Sequence, residues 1–273
     1  GTGAATLSGA TLNIPTPAAG LPSSGNIAGD MLYWNGSTNA WVKVAAGTDG
    51  QTLTFVGGKP VWTGTISYAN TVVNATTGKI WMDRNLGATQ VATSSTDHLA
   101  YGSLYQWGRG SDGHQIIVWT SPTTSNGAEQ NNETPSLSAI DAPGNGNFIL
   151  EPNFPYDWRS PQNANLWQGV SGVNNPCPTG YRIPTDVEWD AERLSWGSSS
   201  ENAAGAFASP LKLPLAGFRD SSDGALSGVG ASGRYWSSTV GSALARLLLF
   251  DSSNAFMLSS DRAYGVSVRC LKD

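Results

Sequence analysis

The chain has 273 residues, of which only 13% are charged, about half the usual share of about 25%. Its net charge is −5 and its pI is about 5.0, with no basic stripe, which argues against nucleic acid as a partner. No apolar run approaches the roughly 18 residues of a membrane span, so no membrane insertion is expected. With 33 glycines, 11 tryptophans and 8 tyrosines, the composition is typical of a globular, turn-rich chain.

The N-terminal quarter divides into an arm and two hairpin units. Residues 1–25 are mainly small residues, proline and glycine, which favour a linker or an extended arm. Within residues 26–65, DMLYWNGSTNAWVKV places apolar and aromatic residues on both sides of Asn35-Gly36, a strong hairpin signal, and TLTFVGGKPVWTG repeats the pattern around Gly57-Gly58. Such hairpins are too small to be stable alone, so we expect them to pack on neighbours or on other copies of the chain.

Residues 66–273 have the pattern of short strands, long loops and few helices. SYANTVVNATTGKIWMDRNLGA predicts a strand, a turn and a strand, and SSTDHLAYGSLYQWGRG predicts a short helix. Residues 109–175 are irregular, and loops of this length normally carry function or pack as ordered excursions. The clearest helix is IPTDVEWDAERLSWG, in which Thr185 and Glu188 form a capping box and Gly197 is a stop signal.

The last strands, within ARLLLFDSSNAFMLSSDRAYG, do not sort into an apolar and a polar face. If Leu248 and Met257 face the core, strand alternation turns their neighbours to the solvent, and exposed apolar patches of that kind mark interaction sites. The alternative is that residues 247–250 are buried on both faces, as a continuous apolar run often is. On the first interpretation the inward set is Leu248, Phe250, Ala255 and Met257, and the outward set is Leu247, Leu249, Asp251, Asn254, Phe256, Leu258, Ser259, Ser260, Asp261 and Tyr264.

Few residues suggest catalysis. The two histidines, His98 and His114, lie in polar, Gly/Ser-rich surroundings without a nucleophile motif such as G-x-S-x-G, so we do not expect an enzyme. The two cysteines, Cys177 and Cys270, are either free buried thiols or one disulfide, and a disulfide would imply an oxidising compartment. With two distant histidines they make a poor zinc site.

One short sequence motif suggests a cation-binding site. Calcium-dependent lectins use a local cluster of Glu, Asn and Asp ligands, and Glu151-Pro152-Asn153 with Asp157 nearby provides oxygen atoms on a loop. The match covers three residues, and the partner word W-N-D is absent. We therefore expect no cofactor, and a structural calcium held by the long loops stays open as an alternative.

Five stretches occur in order between residue 78 and the C-terminus: GKIWMDRNLGA, AYGSLYQWGRG, NPCPTGYRIPTDVEW, LPLAGFRDSSDGALSGVGASGRYWSST and GVSVRCLKD. Together they resemble the major paralogous domain family first noted in Fibrobacter succinogenes. The resemblance implies an α+β, C-type lectin-like fold, in the branch shared with formylglycine-generating enzymes. A cysteine in the motif CP-x-G-[WY]-R-[IL]-PT and one in the final VRC strand are both typical of that family, which implies a Cys177–Cys270 disulfide.

The hairpin units carry a second resemblance. The words GDMLYWNG, WVKV, GTDGQTLTF and PVW resemble repeats of phage tail-fibre proteins and of surface-fibre proteins of Bacteroidetes and their phages. This implies that residues 26–65 form a fibre-like or stalk-like segment. We expect such hairpins to drive assembly into a homotrimer, as in fibres.

Residues 234–266 are similar to the variable region of target proteins of diversity-generating retroelements, in which adenines of a template copy are randomised. Asn codons then acquire two random bases and a fixed pyrimidine, and such codons cannot encode Lys, Glu, Gln, Met or Trp. From Arg219 to Cys270 there is no Lys, Glu or Gln, and the only Trp and Met, Trp236 and Met257, fall on positions assigned to the core. The resemblance implies a diversified ligand-binding surface that comprises the outward set together with Arg234, Val240 and Leu244.

The sequence therefore predicts a receptor-binding or ligand-binding protein that is extracellular, on a virion tail fibre or a bacterial cell surface. Its expected partner is a protein or glycan receptor, recognised without chemical turnover. Two alternatives remain. One is a bacterial cell-surface adhesin of the same fold with a fixed ligand. The other is an enzyme of the formylglycine type, whose chemistry needs a reactive pair of cysteines.

Overall fold

The computed structural model describes residues 6–8, 11–13, 31–38, 40–44, 52–56, 59–63 and 70–273. The chain divides into two compact units, residues 1–69 and residues 70–273. This division falls four residues beyond the boundary that the sequence predicts after residue 65.

The described residues of the first unit form three antiparallel strand pairs. Both hairpins predicted from the sequence are confirmed, and in the one around Asn35-Gly36 the rings of Trp34 and Trp41 pack edge to face with centroids 5.7 Å apart. Residues Gly57-Gly58 of the other turn lie outside the described residues, as does most of the predicted arm. A third short hairpin within that arm was not predicted. The strands are β1 Thr6–Ser8, β2 Thr11–Asn13, β3 Met31–Asn35, β4 Ala40–Val44, β5 Thr52–Val56 and β6 Lys59–Thr63.

The second unit is mainly β-structure with two α-helices among its described residues, which fits the predicted α+β class with short strands and long loops. Its helices are α1 Asp186–Leu194 and α2 Ala203–Ala208, with 3₁₀ turns at His98–Ala100 and Ala128–Asn131. Its strands are β7 Thr71–Asn74, β8 Lys79–Met82, β9 Leu104–Gln106, β10 Trp119–Ser121, β11 Thr124–Ser125, β12 Glu133–Thr134, β13 Phe148–Ile149, β14 Tyr181–Arg182, β15 Phe218–Arg219, β16 Leu226–Ser227, β17 Gly233–Gly241, β18 Leu244–Phe250, β19 Ala255–Ser260, β20 Gly265–Ser267 and β21 Leu271–Lys272.

Two sheets organise this unit. A four-stranded sheet in the order β14-β21-β8-β7 joins the first strands of the unit to its last, and it includes the predicted strand–turn–strand β7–β8. A seven-stranded sheet runs β16-β15-β20-β17-β18-β19, and β9 also pairs with β20. Between β9 and β14 the chain forms only short paired segments, as expected for the long irregular stretch.

The local predictions succeed for one helix and fail for the other. Helix α1 begins with the predicted capping box, in which the Thr185 hydroxyl accepts the Glu188 N–H and the Glu188 carboxylate accepts the Thr185 N–H. The helix predicted within SSTDHLAYGSLYQWGRG is wrong. It is reduced to one 3₁₀ turn, after which the chain passes through Gly102 at φ +71°, a conformation that favours glycine, and enters β9.

The disulfide implied by the family resemblance is present. Cys177 and Cys270 are joined by an S–S bond of 2.09 Å, across a separation of 93 residues. Cys270 is wholly buried, in the residue segment just before β21. The bridge therefore ties the end of the long irregular stretch to the C-terminal strand of the four-stranded sheet.

Removing this bridge should cost about 4–5 kcal/mol of unfolding free energy in the chain-entropy model, because the loop it closes is long. We expect Cys177→Ala/Cys270→Ala to show this loss in urea denaturation, and the reduced wild type to match it. A loss below about 1 kcal/mol would mean that the unfolded chain gains little freedom when the bridge is absent.

Candidate ligand-binding face

Strands β17, β18 and β19 bring side chains into rows that run across the seven-stranded sheet. Residues that pair directly in neighbouring strands point to the same side. The register defines two rows on one side, the outer row Arg234–Leu249–Phe256 and the inner row Trp236–Leu247–Leu258.

The opposite side of these strands packs against α1 and is called the helix side. Leu248, Phe250 and Ala255 are buried there, and Met257 is half-buried against the same cluster. The ring of Tyr235 stacks on Phe250, with the centroids 5.7 Å apart. The predicted inward set is therefore confirmed.

Trp236 and Leu247 of the inner row are buried as well, whereas Leu258 at the end of that row is half-buried, and this corrects part of the outward set. Leu247 has no exposed surface, and it belongs to a buried cluster that includes Leu166 and Trp167 of the long irregular stretch. Ser260 is also buried. The prediction that these two face solvent is wrong. At Leu247 and Leu248 the alternative interpretation holds, since the strand is buried on both faces.

The outer row remains accessible and joins neighbouring aromatic residues. Phe256 is 45% exposed, and Leu249 and Leu258 are half-buried against the core beneath them. The Arg234 guanidinium lies 3.6 Å from the centroid of the Phe218 ring, and that ring packs against Tyr264 with centroids 5.3 Å apart. We call this surface the candidate face; it consists of Arg234, Leu249, Phe256, Leu258 and Tyr264, and the buried Phe218 ring lies beneath it.

Charged groups border the candidate face. Partial burial lowers the pKa of Arg234, whose Nε is buried without a hydrogen-bond partner. Burial, together with repulsion from the Asp220 carboxylate, raises the pKa of Asp261. Burial and the charges of Asp261 and Asp220 also raise the pKa of Tyr264.

The remaining predicted site residues lie away from the candidate face. Val240 and Leu244 are half-buried at the end of the sheet where β17 turns into β18. At the other end, Asn254 is exposed, and the Asp251 carboxylate accepts two backbone N–H groups of its own turn, which gives it a role in shaping the hairpin. Ser259 is exposed but lies on the helix side.

Two segments outside residues 234–266 also flank the candidate face, and sequence reasoning assigned no binding role to either. Strand β15 and the turn after it contribute Phe218 and the Asp220 carboxylate. Loop 151–156 reaches the segment that carries Tyr264, because the Ala263 N–H donates to the Tyr156 carbonyl at 3.0 Å, and the loop exposes Phe154, whose ring packs on Tyr156. Loop residues follow no hydrophobic periodicity from which a binding role could be predicted. For β15, the only signal in the sequence was its place in LPLAGFRDSSDG, part of one of the five stretches that carry the family resemblance.

His114 belongs to a buried structural network. Its Nε2 accepts the backbone N–H of Gln106 at 3.0 Å, so its Nδ1 carries the proton and donates to the Asp112 carboxylate at 2.5 Å. Asp112 is also paired with Arg109, at 2.5 Å. Burial lowers the pKa of His114 to about 4 and keeps the ring neutral. Both ring nitrogens are engaged, which leaves neither free for proton transfer.

The acidic residues in and near the Glu151-Pro152-Asn153 motif already have partners within the fold. Asp157 is buried and its carboxylate pairs with Arg262 at 3.2 Å, while Gln162 donates to the same oxygen at 3.1 Å. The Glu151 carboxylate accepts the backbone N–H of Asn153. Across residues 70–273 and the shorter described segments before them, no group of three or more His, Cys, Asp or Glu is placed to hold a metal ion.

Comparisons of the chain with known protein families, with curated proteins and with solved structures found no match. In the described part of the chain, no helix combines the length and apolar character needed to cross a bilayer. The candidate face is therefore the feature of the molecule that indicates a function.

The burial of the two rows predicts different costs of truncation. Leu247→Ala should lower the unfolding free energy by about 2–5 kcal/mol, as Leu248→Ala should, because each leaves a cavity in a packed core. Phe256→Ser should cost no more than about 1 kcal/mol, since much of its ring is already in water. Urea denaturation of the three variants checks this. Equal losses in all three would show that the outer row is sealed too.

The His114 network predicts loss of stability in acid. The pKa of His114 falls from 6.5 to about 4 on folding, so the unfolded chain binds more protons between these values. Stability is complete above pH 6.5 and declines by about 3 kcal/mol as the pH falls to 4. Asp112, whose pKa is lowered to about 2 because the His114 hydrogen bond and the Arg109 charge outweigh its burial, extends the decline at lower pH.

Unfolding free energies measured between pH 7 and 4 test this linkage. His114→Asn should flatten the decline, whatever its effect on stability at neutral pH. His98→Asn is the matched control and should keep the wild-type slope, because His98 has no part in the network. An unchanged slope in His114→Asn would assign the acid sensitivity to other groups.

Proposed function

We propose that the chain is a ligand-binding or receptor-binding protein that recognises a protein or glycan on a cell surface through the candidate face, without chemical turnover. The observation that carries the proposal is an accessible row of apolar and aromatic side chains across neighbouring strands, with Phe256 at its most exposed end. Burying such a side chain against a partner gains about 1.5–3 kcal/mol, and a few anchors are enough to dominate an interface.

We further propose a C-type lectin-like fold for residues 66–273, on the resemblance of the five sequence stretches. Two structural features support it. Strands are short and helices few, and a long irregular stretch separates β9 from β14. In addition, the first and last strands of the unit share one sheet, beside a disulfide at the position that the resemblance implies.

The proposal includes diversification of residues 234–266 by a retroelement. Within this range the candidate face consists of Arg234, Leu249, Phe256, Leu258 and Tyr264. A codon whose two adenines are randomised and whose last base is a pyrimidine can encode each of these residues. The residues that such codons cannot encode, Trp236 and Met257, lie in the inner row and on the helix side. Leu247 and Ser260, which the resemblance also assigns to the diversified surface, are buried, so the proposed variable surface is limited to the accessible positions.

We propose that residues 26–65 act as a fibre-like segment that assembles the chain into a homotrimer and displays several binding domains together. Avidity would then offset weak single contacts. The disulfide supports an extracellular setting, on a virion tail fibre or a bacterial cell surface, because such bridges persist in oxidising surroundings.

Two alternatives make different demands on the same residues. A bacterial adhesin with a fixed ligand would use the same face, and only the coding locus distinguishes it. An enzyme of the formylglycine type would need a reactive cysteine pair, whereas Cys177 and Cys270 are joined across the fold and Cys270 has no exposed surface. The engaged ring nitrogens of His114 also favour recognition over turnover.

The DNA around the gene tests the proposed diversification. We expect a reverse-transcriptase gene nearby and a near-copy of the segment that encodes residues 234–266, with mismatches at adenines of the copy only. The segment that encodes α1 serves as the control and should have no such copy. If the locus contains neither the gene nor the copy, diversification is refuted and the fixed adhesin is favoured.

A further inference from the structure

We propose that Arg234 anchors a partner protein by donating hydrogen bonds to a neutral carbonyl oxygen of that partner. The oxygen belongs either to the backbone or to the side-chain amide of an asparagine or glutamine. This inference rests on the proposed function, and it adds the chemical class of the group that the partner presents.

The hydrogen-bond donors of Arg234 are not used inside the fold. Each of the other arginines within residues 70–273 donates to a carboxylate, an amide or a carbonyl of the protein. Arg234 makes no such bond and no ion pair with any described residue, and its Nε is buried without a partner. A guanidinium carries five N–H donors, so Arg234 has an unusually large unmet demand for oxygen acceptors.

Packing, not hydrogen bonding, holds the Arg234 guanidinium in place. It lies 3.6 Å from the centroid of the buried Phe218 ring, and that ring packs against Tyr264 with centroids 5.3 Å apart. An aromatic ring attracts a cation through its face but supplies no oxygen acceptor. The contact with Phe218 therefore positions the guanidinium without satisfying its N–H groups.

A partner that covers the outer row also covers Arg234. The register pairs Arg234 directly with Leu249, and Leu249 with Phe256, so the three side chains are neighbours on one side of the sheet. Accessible N–H groups hydrogen-bond with solvent in the free protein. A partner that displaces this solvent without supplying acceptors loses affinity, because a buried donor without a partner is costly. The partner must therefore present oxygen atoms at this point of the candidate face.

The charge of Arg234, in contrast, is already opposed within the fold. Asp220 lies two residues after Phe218, and its carboxylate attracts the guanidinium without reaching ion-pair distance. The same carboxylate is engaged in its own turn, where it accepts the Ser222 N–H at 2.8 Å and the Ser222 hydroxyl at 2.6 Å. A partner carboxylate would be repelled by Asp220, whereas a neutral carbonyl fills the donors without that repulsion.

The neighbours of Arg234 favour a protein over a glycan. Leu249, Phe256 and Leu258 have no side-chain donor or acceptor, so the surface beside the guanidinium suits apolar side chains. A glycan presents many hydroxyl groups, which would lose solvent against this surface without gaining partners. The face therefore matches a peptide segment that combines apolar side chains with one accessible carbonyl.

The anchor and its support differ in how they would vary. Arg234 lies within the proposed diversified range, and the randomised codons can encode arginine among other residues. Phe218 and Asp220 lie outside that range. The ring that carries the anchor would thus stay constant, while the requirement for a carbonyl would belong to the present sequence.

Selection from a displayed random peptide library, with the full chain immobilised, tests the inference. The best recovered peptide, labelled with fluorescein, should lose at least about tenfold in affinity on Arg234→Met, which keeps a chain over Phe218 and removes the donors. Arg234→Lys should not restore binding, because an ammonium lacks the planar fork of donors. Affinity should change by less than about twofold between 50 and 500 mM salt, since the acceptor is neutral.

Substitutions in the peptide identify the acceptor. Alanine replacement of each asparagine and glutamine, and replacement of each backbone amide by an ester, weaken one carbonyl at a time. We expect one position that lowers affinity for the wild-type chain and has no further effect on Arg234→Met, because the two changes remove the same hydrogen bond. A side-chain position and a backbone position distinguish the two sources of the oxygen. Effects that simply add at every position would overturn the inference.

Two measurements control for indirect effects. Arg246→Met removes an arginine that lies on the helix side of the same sheet and pairs with Asp186, and it should leave affinity within about twofold. The melting temperature of Arg234→Met should stay within about 3 °C of the wild type, because the fold makes no hydrogen bond to this guanidinium. A larger fall would assign Arg234 to the support of Phe218 and overturn its role as an anchor.

The remaining outcomes separate this inference from the proposed function. Peptides that lose binding to Phe256→Ser but bind Arg234→Met normally would overturn the anchor and leave the candidate face in place. An excess of aspartate and glutamate in the peptides, with strong weakening by salt, would overturn the neutral acceptor in favour of a carboxylate. Binding of glycans on an array that depends on Phe256, without any enriched peptide, would overturn the protein partner alone. Peptides indifferent to Phe256→Ser would count against both proposals.

Discussion

Four wholly buried arginines hold the irregular half of the second unit in place. A long loop that is covered by other segments must satisfy its backbone carbonyls without the help of regular strands. Arg109, Arg219, Arg262 and Arg269 do this, since each guanidinium carries five donors and reaches carbonyls far away in the chain. The acceptors include the carbonyls of Asn147, Glu129, Gly224, Ser242, Met82 and Leu211.

Each buried charge is compensated locally. Arg109, Arg219 and Arg262 pair with a carboxylate, and each also lies over an aromatic ring. Arg269 hydrogen-bonds the amide oxygen of Asn85, and its burial lowers its pKa to about 10. Because losing one partner of such a pair leaves an uncompensated buried charge, the arrangement resists partial opening. The candidate face is thus supported by buried, paired arginines even though few helices and long strands surround it.

How much the sequence predicted depended on whether the signal was local. The capping box of α1 and the Asn35-Gly36 hairpin are set by neighbouring residues and were predicted correctly. The Cys177–Cys270 pairing came from family resemblance alone. Strand alternation assigned Leu247 to the correct side of the sheet, but it carries no information on what covers that side. The buried cluster that contains Leu247 includes Leu166 and Trp167, about eighty residues earlier in the chain.

The helix predicted before β9 failed for a similar reason. Its apolar spacing suits a helix, yet the segment gains more by pairing with β20, a strand that follows about 160 residues later.

The covalent link between Cys177 and Cys270 encloses the whole hairpin that carries the outer row. A peptidase that cuts the exposed β18–β19 turn would therefore release nothing, because both fragments stay bound through sulfur. A backbone severed at this turn would thus leave the molecule in one piece, with both strands of the hairpin still attached.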